Sequence, residues 1–218
     1  MIRQTLDGKS KSVDVARHGD GLTSLQYRDA PGADTHEVES SISSPQTVRI
    51  EKRGDYFYAF VTGPDGKLHP AGAATKLQLT APFYIGIGVC AHDKNVVQTA
   101  VFSNVKLTHL APSTEKPVLY SVLETVAVAS TDRRVSYVDP GLFEAPNWSR
   151  DGSFLLFNRE GKIYRVAPGG TEPTLVPTGL LNCNNDHGIS PDGRSIAISA
   201  RSQTDPASAI YIVPIEGG

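Results

Sequence analysis

The 218-residue sequence has only two cysteines, one methionine and one tryptophan, and it contains no apolar run near the roughly 18 residues of a membrane span. The two cysteines, Cys90 and Cys183, are far apart and do not suggest a disulfide-stabilised domain, so we expect buried or idle thiols. The first twelve residues lack an apolar stretch and a cleavage site, and are therefore not interpreted as a signal peptide.

The sequence also lacks a strong excess of either charge. Lys and Arg together number 21 and Asp and Glu number 23, which gives a formal net charge of −2. Neither half of the chain is rich in basic residues, so a nucleic-acid partner is not expected. The 20 glycines and 15 prolines, without any long stretch of helical period, favour short strands and turns. We therefore predict an all-β fold.

From residue 1 to about residue 110, apolar and polar residues alternate with a period of two, which is typical of half-buried strands. β-branched and aromatic residues dominate these runs, and turn signals such as Gly54-Asp55 separate them. The pattern continues through "PFYIGIGVCAHD" (82–93) and "TAVFSNVKL" (99–107). Many short antiparallel strands predict a β-sandwich in this part of the chain.

The stretch "TVRIEKRGDYFYAFVTGPDGKLHPAG" (47–72), together with the two stretches just quoted, carries a family resemblance. Residues 1–110 resemble the concanavalin/laminin-G-like jelly-roll modules found beside bacterial sugar-active and cell-surface domains. Such modules usually have several strands before the segment that corresponds to "MIRQTLD", so we expect an N-terminally incomplete sandwich.

Two sets of side chains on the predicted hairpin are candidates for function. Tyr56 and Tyr58 share one strand face, where they either stack on a sugar ring or simply cover the sheet. Arg49, Glu51 and Arg53 alternate on the preceding strand, and we expect them to form a solvated charge ladder.

Residues 111–117, "APSTEKP", are predicted to be a linker, and beyond them the sequence repeats itself. The Ser-x-Asp-Gly motif at 149–152 recurs at 190–193 with an offset of 41. The Gly-Gly pairs at 169–170 and 217–218 are offset by 48. A period of about 40–50 residues with several strands in each unit is typical of β-propeller blades.

The repeat resembles the TolB-type β-propeller family, whose blades carry Trp-Ser-Pro-Asp-Gly and then Ile-Tyr and Gly-Gly. "NWSRDG" (147–152) and "GISPDG" (188–193) match, with Arg150 in place of the proline and Ile189 in place of the tryptophan. "LETVAVAS" (123–130) and "RRVSYVD" (133–139) are assigned to the last strands of an earlier blade.

We therefore predict that residues 118–218 form about two to two and a half blades of a partial propeller, and that the chain is a fragment of a larger protein. The resemblance to the TolB type implies a periplasmic or secreted bacterial protein.

A polar cluster of Asn184, Asn185, Asp186 and His187 lies in the predicted connection between two blades. These side chains offer carboxylate and amide oxygens and an imidazole, which are ligands for a divalent cation such as calcium or manganese. The alternative is a structural role, in which the asparagines and the aspartate cap turns and His187 forms a hydrogen bond with the backbone. A ligand contact, or catalysis with His187 as base and Asp186 as metal ligand or orienter, is the third possibility.

Taken together, these features favour a non-catalytic binding or interaction protein of the bacterial envelope or extracellular space, with a glycan or a protein as its ligand. The alternative is a propeller polysaccharide lyase or hydrolase with a divalent-metal site near Asp186 and His187. The sequence has no Gly-x-Ser-x-Gly elbow, phosphate-binding glycine loop or paired zinc motif. Unpaired strand edges in the incomplete sheets predict self-association.

Overall fold

The computed structural model describes residues 1–111, 116, 118–170, 172–179, 181–205 and 207–218. These described residues form eighteen strands and no helix, which confirms the all-β prediction. It follows that the described part of the chain holds no helix suited to crossing a membrane. Five residues of the predicted linker, 112–115 and 117, lie outside the described residues.

Nine short strands lie within residues 1–85, and nine more lie within residues 120–214. The first nine are β1 (Ile2–Arg3), β2 (Ser12–Arg17), β3 (Thr23–Arg28), β4 (His36–Glu39), β5 (Val48–Arg53), β6 (Tyr56–Thr62), β7 (Leu68–Pro70), β8 (Thr75–Lys76) and β9 (Tyr84–Ile85). The others are β10 (Tyr120–Val126), β11 (Arg133–Pro140), β12 (Phe143–Trp148), β13 (Leu155–Arg159), β14 (Lys162–Val166), β15 (Thr174–Val176), β16 (Asn182–Ile189), β17 (Ser195–Arg201) and β18 (Ala209–Pro214).

Two sheets built mainly from the first half of the chain share one core. Sheet A has the strand order β10-β11-β4-β3-β2-β1-β9, and sheet B contains β5, β6 and β7, with β8 also paired to β6. Val13 and Leu25 of sheet A belong to the same buried cluster as Phe57 and Val61 of sheet B. Two sheets with a common apolar core agree with the predicted sandwich, whereas the jelly-roll topology stays a prediction.

The β5–β6 hairpin shows how the two-residue period distributes side chains. Gly54 has a φ of +58°, a conformation that a tight turn requires and that glycine adopts at little cost. Phe57, Ala59 and Val61 are buried in the core, so the alternate residues Tyr56, Tyr58 and Phe60 lie on the outward face of sheet B.

Residues 86–111 differ from the sequence prediction, because they contain no strand. The side chains of Ile87, Val89 and Val101 are exposed. A strand forms only where a neighbour offers backbone partners, and β9 pairs with β1 at two positions only, Ile2 and Arg3. Cys90 in this segment is exposed, Cys183 is buried, and both are free.

The β10–β11 hairpin was assigned from the sequence to the last strands of an earlier blade. In the structure it pairs with a strand of sheet A instead. β11 lies parallel to β4, and Arg134 forms an ion pair with Glu39 at 2.9 Å. At the same time Leu123 of β10 packs in a cluster with Phe143 and Phe157. The hairpin is therefore hydrogen-bonded to sheet A and packed against the next sheet along the chain.

The sequence repeat folds as two similar sheets. Sheet C has the order β12-β13-β14-β15, and sheet D has the order β16-β17-β18. The hydroxyl oxygens of Ser149 and Ser190 each accept a hydrogen bond at 3.0 Å from the amide five residues later. Gly152 and Gly193 follow at φ values of +74° and +73°, so both turns have the same geometry. The repeat predicted from the sequence is thus a structural repeat.

Sheet C packs face to face against sheet D. Leu156 and Ile163 of sheet C are fully buried in a cluster with Ile196 and Ile198 of sheet D. At the rim of this interface Arg165 pairs with Glu216 of the chain's last turn at 3.1 Å. This stacking fixes the position of β16, the strand that carries the polar cluster.

Candidate functional site

The polar cluster lies within strand β16, so its assignment to a connection between blades is wrong. β16 pairs Cys183 with Ala200 and then His187 with Ile198, and the register shifts between these two pairs. Residues 184–186 therefore form a β-bulge, which displaces their side chains from the regular alternation. The strand begins at Asn182 because its backbone already pairs there with Arg201.

The bulge is held from the neighbouring sheet by two asparagines. The buried side chain of Asn158 donates hydrogen bonds to the carbonyl oxygens of Cys183 and Asn184. The amide of Asn147 donates to the carbonyl oxygen of His187 at 2.9 Å. These bonds give partners to three main-chain carbonyl groups of β16, as polar groups at a packed interface require.

Within the bulge, Asn184 is committed to local hydrogen bonds. Its side-chain nitrogen donates to the hydroxyl oxygens of Ser199 and Ser208, at 2.8 and 3.1 Å. Its side-chain oxygen accepts from the amide of Asp186 at 3.2 Å. These contacts match the turn-capping alternative and leave the exposed carboxylate of Asp186 as the available charged group of the bulge.

His187 carries the one imidazole of the cluster, and its ring is half-buried. Nδ1 lies 3.1 Å from the carbonyl oxygen of Asn185, and because a carbonyl only accepts, Nδ1 carries the proton. Nε2 is buried and has no hydrogen-bond partner among the described residues. Burial lowers the pKa of His187, against smaller opposite effects of the Asn185 hydrogen bond and the Asp186 charge. A buried Nε2 is poorly placed to take a proton from a substrate.

The donor set near the bulge is small for a metal ion. The described residues contain no group of three or more His, Cys, Asp or Glu side chains that could hold a metal ion together. A cation at Asp186 would depend on main-chain oxygens, amide oxygens or water for the rest of its ligands, which calcium accepts more readily than zinc does. Calcium or manganese binding here stays a prediction.

A shallow depression of about 270 Å³ lies beside the bulge, on the face of sheet D that points away from sheet C. It is lined by Asp186, His187, Gly188, Ala197, Ser199 and Ile210. The repeat makes this face the counterpart of the sheet C face that contains Leu156 and Ile163, both fully buried. In sheet D, however, Ile210 and Ile212 are 69% and 68% exposed.

The second candidate site, around Tyr56 and Tyr58, lies on the outward face of sheet B. Tyr56 is 45% exposed and stands opposite Arg53 on β5, whereas Tyr58 is half-buried and stands opposite Glu51. Residues directly opposite each other in an antiparallel pair point to the same side. The tyrosines and the charged residues of β5 therefore share one surface.

The structure corrects the expectation of a solvated charge ladder on β5. Glu51 is only 7% exposed and forms ion pairs with both Arg49 and Arg53, each of which is 48% exposed. The tyrosine opposite Glu51 and the two arginines beside it cover the carboxylate. Sequence reasoning missed this because the i, i+2 spacing gives the shared face but not the shielding by the neighbouring strand.

Comparisons with known proteins find a relative for part of this chain. No family model matches. An uncharacterized protein of Agrobacterium fabrum is 48% identical over 100 residues, which cover 45% of this chain and 34% of that protein. A solved structure described as "putative TolB from Agrobacterium tumefaciens" is 46% identical, with a TM-score of 0.43, over 47% of this chain and 37% of that chain.

A third comparison is more distant. A crystal structure described as a "putative 6-phosphogluconolactonase from Bacteroides uniformis" is 16% identical, with a TM-score of 0.28, over 97% of this chain and 66% of that chain. A likeness at this level supports no conclusion.

The chain spans about a third of the length of the two Agrobacterium proteins that it matches. Nearly half of the chain is thus 46% identical in sequence to a protein whose solved structure is described as a putative TolB.

Proposed function

We propose that this protein is a non-catalytic binding and interaction protein of the bacterial envelope or extracellular space, and that sheet B binds a glycan. The observation that carries the proposal is the outward row of Tyr56, Tyr58 and Phe60, whose alternate neighbours form the core. Rings in such a row can stack against the apolar face of a sugar while tyrosine hydroxyls remain free for hydrogen bonds.

The envelope location is supported by the TolB-type motifs and by the relative described as TolB. A binding role, rather than a hydrolase or lyase, is supported by the buried Nε2 of His187 and by the hydrogen bonds that Asn184 makes inside the bulge. The second surface, the apolar face of sheet D with Ile210 and Ile212, suits a protein partner.

A glycan array probed with the purified chain tests this proposal. We expect binding to one class of glycan, and we expect Tyr58→Ala to abolish it while the melting temperature of the variant stays near that of the wild type. Leu142→Ala, which changes another exposed side chain, is the control. An equal loss of stability and binding in Tyr58→Ala, or no binding to any glycan, would reject glycan binding. Turnover of a bound glycan would instead favour the lyase or hydrolase alternative.

A further inference from the structure

The outward face of sheet B carries an excess of positive charge, although the whole chain has a formal net charge of −2. Across β5, β6 and β8 this face presents Arg49, Arg53 and Lys76 against the single carboxylate of Glu51. Three cations and one carboxylate leave a local net charge of +2. This positive charge would attract an anionic sugar, but it would not favour the binding of a neutral one.

The cations lie next to the aromatic rings, where a bound sugar would meet them. The Lys76 ammonium is 5.8 Å from the ring centroid of Tyr56, and the Arg49 guanidinium is 5.8 Å from that of Phe60. Among the described residues no cation lies over Tyr58, which stands between these two rings on β6. Tyr58 is thus the ring of the row that has no cation over it, and it has charged groups on either side.

Glu51 holds the two guanidinium groups beside Tyr58 in place. One carboxylate oxygen pairs with Arg49, and the other accepts a hydrogen bond from Nε of Arg53 at 2.9 Å and lies 2.9 Å from its Nη2. A guanidinium has five N–H donors, so both arginines keep donors for a ligand while their exposed ends are oriented by a buried acceptor. Such an arrangement suits a planar carboxylate, which arginine binds through two parallel hydrogen bonds.

We propose that this face binds acidic glycans, and specifically that it stacks a uronate ring on Tyr58 and pairs the sugar carboxylate with Arg53 or Arg49. The inference rests on the proposed glycan-binding function and names its ligand class. Tyr58 provides the apolar contact, and the arginines discriminate acidic from neutral glycans. Glu51 is a positioning residue that does not touch the ligand.

Binding should be measured by calorimetry with oligouronates, each compared with the same oligosaccharide after reduction of its carboxyl groups to alcohols. We expect the reduced form to bind at least about fivefold more weakly, and the difference to shrink as salt rises from 50 to 500 mM. Equal binding of both forms would overturn the inference and leave the proposed function intact. Absence of binding to either form would overturn both.

Variants separate an oriented site from a simple patch of positive charge. Arg53→Gln should weaken oligouronate binding at least about fivefold without changing binding of the reduced form. The double variant Lys162→Gln/Arg201→Gln, which removes two exposed cations from sheets C and D, should have no effect.

Glu51→Gln gives the sharpest test, because it makes the face more positive while releasing both guanidinium groups. An oriented site predicts weaker oligouronate binding, whereas a charge patch predicts tighter binding. Polyaspartate serves as a polyanion without sugar rings, and binding of polyaspartate as tight as that of the oligouronate would overturn the proposal. If Glu51→Gln does not fold, Arg53→Gln and polyaspartate still decide the question.

Discussion

The side-chain amide of Asn158 in sheet C donates a hydrogen bond to the carbonyl oxygen of Cys183 in sheet D, 3.2 Å away. The same amide also reaches the carbonyl oxygen of Asn184, so one buried side chain satisfies two main-chain groups of the β-bulge. The interface between the repeats therefore has a polar anchor inside an apolar cluster.

Replacing this anchor should destabilise the second half of the chain. We expect Asn158→Ala to lower the free energy of unfolding by about 2 kcal/mol, because a buried carbonyl oxygen and a partly buried one lose their partner. Asn147→Ala removes one bond to the neighbouring sheet from a half-buried position and should cost about 1 kcal/mol. Urea denaturation of both variants measures the difference, and a smaller loss for Asn158→Ala would contradict the role of the anchor.

The repeated Ser-x-Asp-Gly turns should show a common acid response. The backbone amide of Ser153, with the hydroxyls of Ser149 and Ser153, lowers the pKa of Asp151 to about 2. A carboxyl group with a lowered pKa stabilises the fold above its unfolded pKa of 3.8, and this stabilisation disappears as the pH falls from there towards 2. Asp151→Asn should therefore lower the melting temperature at pH 6 but not at pH 2.

The equivalent residue of the second repeat provides an internal check. The pKa of Asp192 is also lowered, by the hydroxyl of Ser190 and the amide of Arg194. Asp192→Asn should thus give the same pH-dependent difference in melting temperature. A difference from the wild type that persists unchanged at pH 2 in either variant would show that the turn is stabilised by something other than the carboxylate charge.

A divalent cation at the bulge would be visible as thermal stabilisation. If calcium or manganese binds near Asp186, its addition at millimolar concentration should raise the melting temperature by mass action, and Asp186→Ala should abolish the rise. Asp205→Ala, at another exposed position, should keep it. No rise with either ion in the wild type would reject the cation and leave the turn-capping role of the cluster.

The open face of sheet D predicts self-association. Leu156 and Ile163 of sheet C are buried by the sheet stacked on them, whereas the equivalent face of sheet D leaves Ile210 and Ile212 exposed. No strand among the described residues pairs with the outer edge of β18. Two copies that meet face to face around these residues would form a symmetric dimer.

Sedimentation velocity tests this prediction directly. We expect a species of twice 23.3 kDa at micromolar concentration, and we expect Ile210→Lys/Ile212→Lys to convert it to a monomer. Val97→Lys/Val101→Lys adds the same charge at other exposed aliphatic positions and should leave the dimer intact. A wild-type chain that sediments as a monomer at all concentrations, with cooperative unfolding, would refute self-association.

Local chemistry in the sequence determined the features that depend on neighbouring residues. The two-residue period placed Tyr56 and Tyr58 on one face, because successive side chains of a strand point to opposite sides. The Ser-x-Asp-Gly spacing determined the repeated turn around Gly152, because a short polar side chain and a positive φ suffice to close it. The all-β class follows from these same local preferences.

Only the tertiary structure decided which strands are neighbours. β11 pairs with β4, and residues 86–111 form no strand, although both segments have strand-like sequences. The tertiary structure also decided that Glu51 is buried by the side chains around it. It likewise decided the bulge before His187, which depends on Asn158 in another sheet. Alternation fixes the face of a residue, but its partner comes from distant parts of the chain and depends on the packing of all the sheets together.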